Sequence, residues 1–218
     1  MKSYIKSSDF EEKIFPFGIV EVKFPPKDNW NIAAFRSLVD SETALLKKKH
    51  TNYDRKAVFG ENPYVKFFKK FKKTYPVMLQ FESVCFKDRP FPAFNSVSEI
   101  AFLAEITTFV LSGAHDIDSI IGDVQLYLAT EKEDFEGMHG TLHTYPNDFC
   151  ARDDKGIIFS LIAGTDNRTC AKQDSSYVLY PVFGTPDIPL ETIENGIDTI
   201  CRYVKVLAPD AEIETAII

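Results

Sequence analysis

The stretch from Ser112 to Ala129, SGAHDIDSIIGDVQLYLA, decides the fold predicted for this chain. Gly113 ends a long apolar segment, and a tight acidic turn follows it at residues 115–118. Gly122 then breaks the turn. In Val124–Leu128 the apolar residues alternate along the chain, as they do in a half-buried strand. The sequence therefore predicts a helix end, a carboxylate-rich corner and a strand in quick succession.

The composition around this stretch is that of a globular protein. The chain has 218 residues, of which 44% are hydrophobic and 26% charged, enough to bury a full core. The N-terminus lacks the apolar core of a signal peptide, and no uncharged run approaches membrane-spanning length. The four cysteines form no CxxC pair, which is typical of reduced thiols and excludes a zinc knuckle. We therefore expect a cytoplasmic protein with no membrane partner, metal or cofactor.

Charge is distributed unevenly along the chain. The net charge of −7 argues against a broad surface that binds polyanions. Residues 1–90 nevertheless carry 18 basic and 11 acidic side chains, a net of +7, whereas residues 91–218 carry 7 and 21, a net of −14. This asymmetry permits a nucleic-acid contact through the N-terminal part, although solvated charge without a partner is the simpler interpretation.

Three patterns organise residues 17–63. The segment FGIVEVKF, residues 17–24, has the composition of a strand. A helix is predicted from about Trp30 to Lys49, with Asn29 as its N-cap and lysines at its C-terminus, where they suit the helix dipole. The polar segment Thr51–Pro63 is predicted to be a loop.

The segment NPYVKFFKKFKKTYP, residues 62–76, is the best candidate for a basic surface. On a helix its aromatic rings would lie on one face and its lysines on the other. We name these lysines the lysine patch: Lys66, Lys69, Lys70 and Lys73. The patch is either an RNA-binding surface that contacts phosphates or only a solvated face, and the aromatic face is predicted to be core.

A buried helix is predicted to follow residue 95. Ser96 and Glu99 have the spacing of a capping box, in which each side chain bonds to the other's free backbone amide. The helix that they open, Val97–Leu111, is apolar nearly all round, as a central helix is. Glu105 is the exception, and it either faces an edge or points into a pocket.

Two histidines, His139 and His143, stand four residues apart in the second half of the chain. On a helix this spacing would suit a metal ion, but the glycines around them disfavour a helix, and no glutamate lies inside the motif. The segment is predicted to be a loop followed by a short strand. Metal binding is not expected.

The C-terminal third alternates between strands and loops before it ends in a helix. Ile157–Ile162 and Tyr177–Phe183 are predicted strands. The polar loop between them, Gly164–Ser176, is long enough to suggest a functional role. An amphipathic helix spans Ile193–Leu207, and the residues from Glu212 onward either add a strand or fray.

Three segments together carry a resemblance to a known family. They are NSVSE (residues 95–99), SGAHDIDSIIGDVQLYLA (112–129) and NRTCAKQDSSYVLY (167–180). In this order they resemble the B3/B4 domain of the beta subunit of bacterial phenylalanyl-tRNA synthetase, and more closely its free-standing relatives. The similarity covers most of residues 55–207. Because the synthetase domains that bind ATP and phenylalanine have no counterpart here, a complete ligase is not expected.

The resemblance implies an α+β fold, a three-layer sandwich of two β-sheet layers plus helices. We expect a basic N-terminal part, residues 1–90, packed on a B3/B4-like domain, residues 91–218, as one compact unit. In the synthetase this domain hydrolyses tyrosine wrongly esterified to phenylalanine tRNA. The implied partner is therefore the aminoacylated 3′ end of a tRNA, and the implied chemistry is the attack of an activated water on an ester.

The family pattern is carried over only in part. Glu99 occupies the position of the family's acidic residue near the start of the first helix, but Phe102 replaces the polar residue expected three positions later. Gly113 stands where the synthetase has a histidine, and His115 follows two positions on, as in the free-standing relatives. Asn167 aligns with the synthetase glutamate that recognises the tyrosine hydroxyl. Specificity for tyrosine is therefore not expected.

The resemblance implies His115 and Asp116 as catalytic residues that position water. It implies Arg168 and Thr169 as the preferred ligand contacts, with Gly113, Asn167 and Glu99 as further substrate-binding residues. Each of these residues also has a structural alternative. His115 could cap the preceding helix, Asp116 and Asp118 could form a turn, Arg168 could pair with Asp166, Asn167 could hold a left-handed turn, and Glu99 could serve the capping box.

Three functions remain open from the sequence. The leading hypothesis is an aminoacyl-tRNA deacylase that acts in trans, and the second is a module that binds tRNA or an amino acid without chemistry. The third is a small-molecule enzyme built on the same scaffold, since a fold does not fix a function. No nucleophile triad, phosphate-binding loop or metal cluster in the sequence supports the third.

Overall fold

The computed structural model describes residues 1–12, 15–87, 89–93 and 95–218, which form an α+β fold. The described helices are α1 (Ser8–Glu12), α2 (Ile32–Lys49), α3 (Arg55–Phe59), α4 (Pro63–Lys70), α5 (Pro76–Phe86), α6 (Ser96–Thr108) and α7 (Leu190–Leu207). The described strands are β1 (Tyr4–Lys6), β2 (Phe17–Lys23), β3 (His115–Asp116), β4 (Val124–Leu128), β5 (Asp134–Gly137), β6 (Gly140–His143), β7 (Phe149–Asp153), β8 (Gly156–Ser160), β9 (Gly164–Thr165), β10 (Tyr177–Phe183) and β11 (Glu212–Ile217).

The strands form two main sheets and one hairpin. The five-stranded sheet has the order β1-β4-β7-β8-β9, the four-stranded sheet has the order β11-β2-β10-β3, and β5 pairs with β6. Only the β1–β4 pair is parallel among the described strand pairs. Parts of the chain on both sides of residue 90 contribute strands to each main sheet, since β1 pairs with β4 and β2 pairs with β10 and β11.

The four-stranded sheet is the middle of three layers, as the packing of β2 shows. Successive side chains of a strand point to opposite faces. The ring of Phe17 packs against Phe149 and Phe159 of the five-stranded sheet, at centroid distances of 5.3 and 6.0 Å. On the other face, a Cβ placed on Gly18 would lie only 2.9 Å from Ile193 of α7. Both faces of β2 are therefore covered, and its first six residues are buried.

Hydroxyl groups connect the helical layer to the middle sheet and connect two of its helices to each other. The Tyr180 hydroxyl of β10 donates to the carbonyl oxygen of Val97 in α6 at 3.0 Å. Tyr203 of α7 and Thr107 of α6 join their hydroxyls at 3.2 Å. The predicted three-layer arrangement, two sheets plus helices, is confirmed.

Two predictions about the N-terminal helices were wrong. α2 begins at Ile32, and its N-cap is Asn31, whose side chain accepts from the backbone amide of Ala34; Asn29 belongs to a short 3₁₀ turn instead. The segment predicted as a loop contains α3, which Asp54 caps by accepting from the amide of Lys56. Capping by Asn and Asp explains both helix starts, because their side chains satisfy amides that lack a helical partner.

The predicted capping box was also wrong. Asn95 is the N-cap of α6 and accepts from the amide of Ser98 at 2.8 Å. Glu99 is free for another partner, Arg36 of α2. The helix ends at Thr108 rather than Leu111, because Phe109 adopts a left-handed backbone with φ 58°. The prediction that α6 is a central buried helix is confirmed by its eight buried residues.

The second half of the chain differs from the predictions mainly in added strands. β7 was not predicted, and the residues from Glu212 onward pair along the whole of β2 rather than fray. His139 and His143 lie on or beside the β5–β6 hairpin and not on a helix. None of the helices in the described ranges is long and apolar enough to cross a lipid bilayer.

Candidate functional site

His115 lies between the two main sheets. It pairs with Leu179 of β10 at the edge of the four-stranded sheet, and its ring centroid lies 5.7 Å from that of Phe159 in the other sheet. The side chain is fully buried. Burial raises the free energy of the charged imidazolium and lowers the pKa of His115 to about 3. The ring is therefore neutral at physiological pH.

A chain of hydrogen bonds fixes the tautomer of His115. The Thr169 hydroxyl donates to Oδ1 of Asp166, and Nδ1 of His115 lies 3.0 Å from the Thr169 oxygen. Since the hydroxyl has only one proton, its oxygen accepts the proton of Nδ1, and the network assigns the Nδ1–H tautomer. The lone pair is then on Nε2, which is buried and has no hydrogen-bond partner among the described residues.

Asp166 is the last acceptor in this series of hydrogen bonds. Its carboxylate also accepts from the backbone amides of Arg168 and Thr169, at 3.1 and 3.2 Å. Burial raises the pKa of Asp166, and the hydrogen bonds from Thr169 oppose that rise. The arrangement of carboxylate, hydroxyl and imidazole orients Nε2 in the way that a hydrogen-bonded carboxylate orients a catalytic histidine.

Gly113 leaves space beside the unpartnered nitrogen. A Cβ built on Gly113 would lie 3.7 Å from Nε2 of His115 and 3.5 Å from Cγ of Pro181, which are ordinary contact distances. The residue is half-buried, and its backbone has no side chain next to Nε2. Gly113 therefore stands next to the candidate catalytic nitrogen, as a substrate-contacting residue would.

Asp116 is held in the acidic turn. Its carboxylate accepts from the backbone amide of Asp118 at 3.1 Å and lies 3.4 Å from the hydroxyl of Ser119. Its backbone amide donates to the carbonyl of Thr169 at 2.7 Å. The carboxylate is half-buried and caps the short 3₁₀ turn, so turn formation accounts for its contacts.

Arg168 makes a bidentate ion pair with Asp153. Its Nη1 and Nη2 atoms each lie 2.9 Å from a carboxylate oxygen, and Nη1 also donates to the carbonyl of Ser119 at 2.6 Å. Asp166 lies farther away, at 3.8 Å from Nε. Burial alone would raise the pKa of Asp153, but the hydrogen bonds from Arg168 and from two backbone amides outweigh it and the pKa is lowered. The guanidinium thus joins the 164–176 segment to the turn between β7 and β8.

The remaining predicted substrate contacts lie in different settings. Asn167 is exposed, and its backbone amide donates to the carbonyl of Glu136 at 2.8 Å. Glu99 is buried on α6 and pairs with Arg36 at 2.6 Å. Phe102, one turn further along α6, packs against the ring of Phe91. Asn167 is therefore accessible, and Glu99 has a structural partner.

A pocket of about 260 Å³ opens beside this site. Ser112 and Phe159 line it, so that it shares Phe159 with His115 and begins one residue before Gly113. The loop that joins β8 to β9 forms a second wall. Of the predicted site residues, Lys73 alone lines this pocket within the described part of the chain.

Lys73 reaches the pocket because α4 ends early. Lys72 has a left-handed backbone with φ 57°, and the amide of Lys73 donates to the carbonyl of Phe68 at 3.1 Å, which closes the helix end. Lys73 therefore lies beyond the helical face on which the sequence placed it, and its ammonium lies 5.4 Å from the ring centroid of Tyr145. Lys69 and Lys70 remain exposed on α4, while Lys66 pairs with Glu61 at 2.6 Å.

Glu105 is hydrogen-bonded to Ser112, one of the residues that line the pocket. Its carboxyl oxygen accepts from the amide of Ser112 at 3.0 Å, and burial raises the pKa of Glu105 to about 8. The carboxyl is therefore protonated at neutral pH. The sequence allowed an edge or a pocket for this residue; instead it is buried behind Ser112 and is not among the described residues that line the pocket.

Sequence reasoning missed Asp153 and Asp166 as the partners that organise the 164–176 segment. Asp166 was predicted only as a possible partner of Arg168, and no role was assigned to Asp153. An acidic residue at the end of a buried strand is a weak pointer to such a pairing, since buried carboxylates need partners. Among the described residues, no group of three or more His, Cys, Asp or Glu side chains could hold a metal ion.

Comparisons with known proteins give a likeness of structure and not of sequence. No family model and no curated protein matches the sequence. The chain is similar to the crystal structure of an N-terminal fragment of the phenylalanyl-tRNA synthetase beta subunit from Pyrococcus horikoshii, with 11% identity and a TM-score of 0.48. The alignment covers 97% of this chain and 50% of that one, so this chain spans about half the length of that fragment. At this level the likeness assigns no role to any residue.

Proposed function

We propose that this protein binds tRNA and hydrolyses a wrongly esterified aminoacyl-tRNA in trans. The observation that supports this most is the position of Lys73, which belongs to the lysine patch and also lines the pocket beside His115. An RNA backbone on the patch would place its 3′ end near the pocket, because Lys69 and Lys70 are exposed on the same helix end.

The chemistry needs a water held against an ester carbonyl, and His115 is suited to hold it. Nε2 carries a lone pair without a partner, and Thr169 and Asp166 hold the ring in that tautomer. With its pKa near 3, His115 accepts a hydrogen bond from water and orients it rather than storing a proton. A water would have to reach Nε2 from the pocket by way of Ser112, which lines the pocket, and Gly113, which lies next to Nε2.

A deacylation screen tests the proposal. Purified protein is incubated with correctly and incorrectly charged tRNAs, and the loss of the aminoacyl group is followed over time. We expect hydrolysis of one mischarged class. His115→Asn and Thr169→Val should lower the rate about a hundredfold or more if Nε2 orients the water. Thermal unfolding of each variant distinguishes lost chemistry from lost fold.

Lys73→Ala tests the connection between the patch and the pocket, with Lys155→Ala as its matched control. Both lysines are exposed, but Lys155 lies in the turn between β7 and β8, at the end of β8 opposite the pocket. Lys73→Ala should weaken tRNA binding and flatten its salt dependence, since each lost phosphate contact removes about 0.7 from the slope for single strands. Equal effects of the two substitutions would refute the connection.

A module that binds tRNA or an amino acid without chemistry is the second candidate. It is favoured by the complete burial of His115 and by the capping role of Asp116, since neither side chain lines the pocket. Salt-dependent tRNA binding without hydrolysis of any charged tRNA in the screen would select this function over the first.

A further inference from the structure

We infer that the pocket accepts an apolar amino-acid side chain and discriminates against a phenol. The inference rests on the proposed function, in which this pocket holds the amino acid of the ester. It names the substrate class as aminoacyl groups with a phenyl or branched aliphatic side chain, and it follows from the side chains that line the pocket.

The buried end of the pocket is apolar. The rings of Phe68, Phe159 and Phe183 line it, and each is at most 5% exposed. Leu161 and Ile162 extend the same surface from the loop after β8. Among the described residues that line the pocket there is no carboxylate and no side-chain amide that could accept a phenol proton.

The buried hydroxyl group that lines the pocket already has partners. Ser160 is 1% exposed, donates to Asp148 and accepts from the amide of Ala163 at 2.8 Å. Ser112 lies 3.4 Å from the carbonyl of Ala101, to which its hydroxyl donates. The protons of both hydroxyls are therefore already donated, so neither is free to bond to the oxygen of a phenol that entered this end.

The exposed end of the pocket is polar and basic. Lys73 and Thr74 are exposed, and Thr165 is half-buried. A ligand that places its apolar side chain among the rings and its ribose and phosphate near Lys73 would match both ends. A volume of about 260 Å³ is small for a binding pocket, which limits the buried part of the ligand to about one side chain.

The expected selectivity is moderate. An apolar pocket rejects an isostere that adds a hydroxyl by roughly ten- to a hundredfold, because the hydroxyl loses its water without gaining a partner. Phenylalanine and tyrosine differ by only this group. The pocket should therefore bind the phenylalanyl form of a matched pair roughly ten- to a hundredfold more tightly than the tyrosyl form.

The test uses stable mimics of the tRNA terminus. Phenylalanine, leucine and tyrosine are each joined through an amide to 3′-amino-3′-deoxyadenosine, and their affinities for the wild-type protein are measured by calorimetry or by NMR titration. We expect the phenylalanyl and leucyl mimics to bind more tightly than the tyrosyl mimic. Equal affinity for the three mimics, tighter binding of the tyrosyl mimic, or no binding of any of them would overturn the inference.

A substitution in the apolar wall checks that the preference arises in this pocket. Ile162→Gln adds an acceptor to the apolar surface that would surround the side chain and should reduce the ratio of phenylalanyl to tyrosyl affinity, whereas Lys155→Ala should leave it unchanged. An unchanged ratio in Ile162→Gln, with thermal unfolding showing that the variant is folded, would place the preference elsewhere and overturn the assignment to this pocket. The outcomes separate the two claims. If the mimics show an apolar preference but no charged tRNA is hydrolysed, the proposed deacylase activity is wrong and the pocket assignment stands. If only tyrosyl esters are hydrolysed, the deacylase activity stands and the pocket assignment is wrong.

Discussion

Replacing Glu105 with glutamine should change the pH dependence of stability in a defined direction. In the folded chain, burial raises the pKa of Glu105 to about 8, from an ordinary value of 4.5. In the unfolded chain the carboxyl loses its proton near that ordinary value. Between these two pH values, unfolding therefore releases one proton, and the contribution of Glu105 to stability decreases as pH rises. That contribution is fully present below pH 4.5 and is lost by about pH 8.

The magnitude follows from the linkage of one proton. The free energy of unfolding of the wild type should fall relative to Glu105→Gln by about 1.4 kcal/mol for each pH unit, or about 3 kcal/mol between pH 5 and pH 7. Glutamine keeps the acceptor oxygen for the Ser112 amide and has no proton to lose. The variant should therefore gain stability over the wild type as pH increases.

Urea unfolding at pH 5, 6, 7 and 8 measures this difference directly. The comparison between variants matters because His115, whose folded pKa is near 3, has the opposite effect and lowers stability as pH falls below 6.5. That contribution is common to both proteins and cancels. Glu191→Gln, an exposed position in the first turn of α7, is the control and should show no such trend. A difference between Glu105→Gln and the wild type that does not change with pH would refute the reasoning.

Further substitutions test the packing around the site by thermal and urea unfolding. Arg168→Ala should destabilise the fold by about 2–4 kcal/mol, because it leaves the buried carboxylate of Asp153 without its bidentate partner, and a loss below 0.5 kcal/mol would show that the pair is not structural. Gly18→Ala should cost about 1–3 kcal/mol, since its Cβ would meet Ile193 at 2.9 Å. Gly113→Ala should leave stability within about 0.5 kcal/mol of the wild type but lower deacylation, because the methyl group occupies space beside Nε2; normal activity in this variant would exclude that approach to the histidine.

The sequence predicted individual strands and helices because their patterns are local, whereas the three layers were implied by the resemblance. The strand FGIVEVKF is apolar at nearly every position, and β2 is buried on both faces, which is the physical reason for that run. The apolar surface of α6 predicted a central helix for the same reason. α3 and β7 were missed because their residues, RKAVF and FCARD, combine charged and apolar side chains without a clear period.

The helix caps show a limit of motif reading. Ser96 and Glu99 have the spacing of a capping box, but the neighbouring Asn95 is the N-cap. Glu99 instead forms an ion pair with Arg36 of α2. Asparagine and serine are about equally good N-caps. Local spacing therefore did not decide between the two caps, and the ion pair of Glu99 with Arg36 is a tertiary contact that a local motif cannot reveal.

The candidate site depends even more on contacts between distant segments. The sequence singled out His115, Thr169 and Arg168 as separate positions, and the fold gives each a different task. Thr169 orients His115 across 54 residues of chain, while Arg168 holds Asp153. Adjacent residues in an irregular segment point in different directions, so their spacing alone could not separate a residue that orients the histidine from one that joins two segments.

The link between the lysine patch and the pocket arises from a break in the helix. A regular helix through residue 75 would have kept Lys73 on the solvated face with Lys66, Lys69 and Lys70. The left-handed residue Lys72 ends α4 instead, and a non-glycine residue in that conformation is uncommon because its side chain crowds the backbone. The pattern of lysines and rings gave no indication of this stop. The feature that supports the proposed function most, a lysine at the pocket, is thus produced by the one position at which the helical pattern of that segment fails.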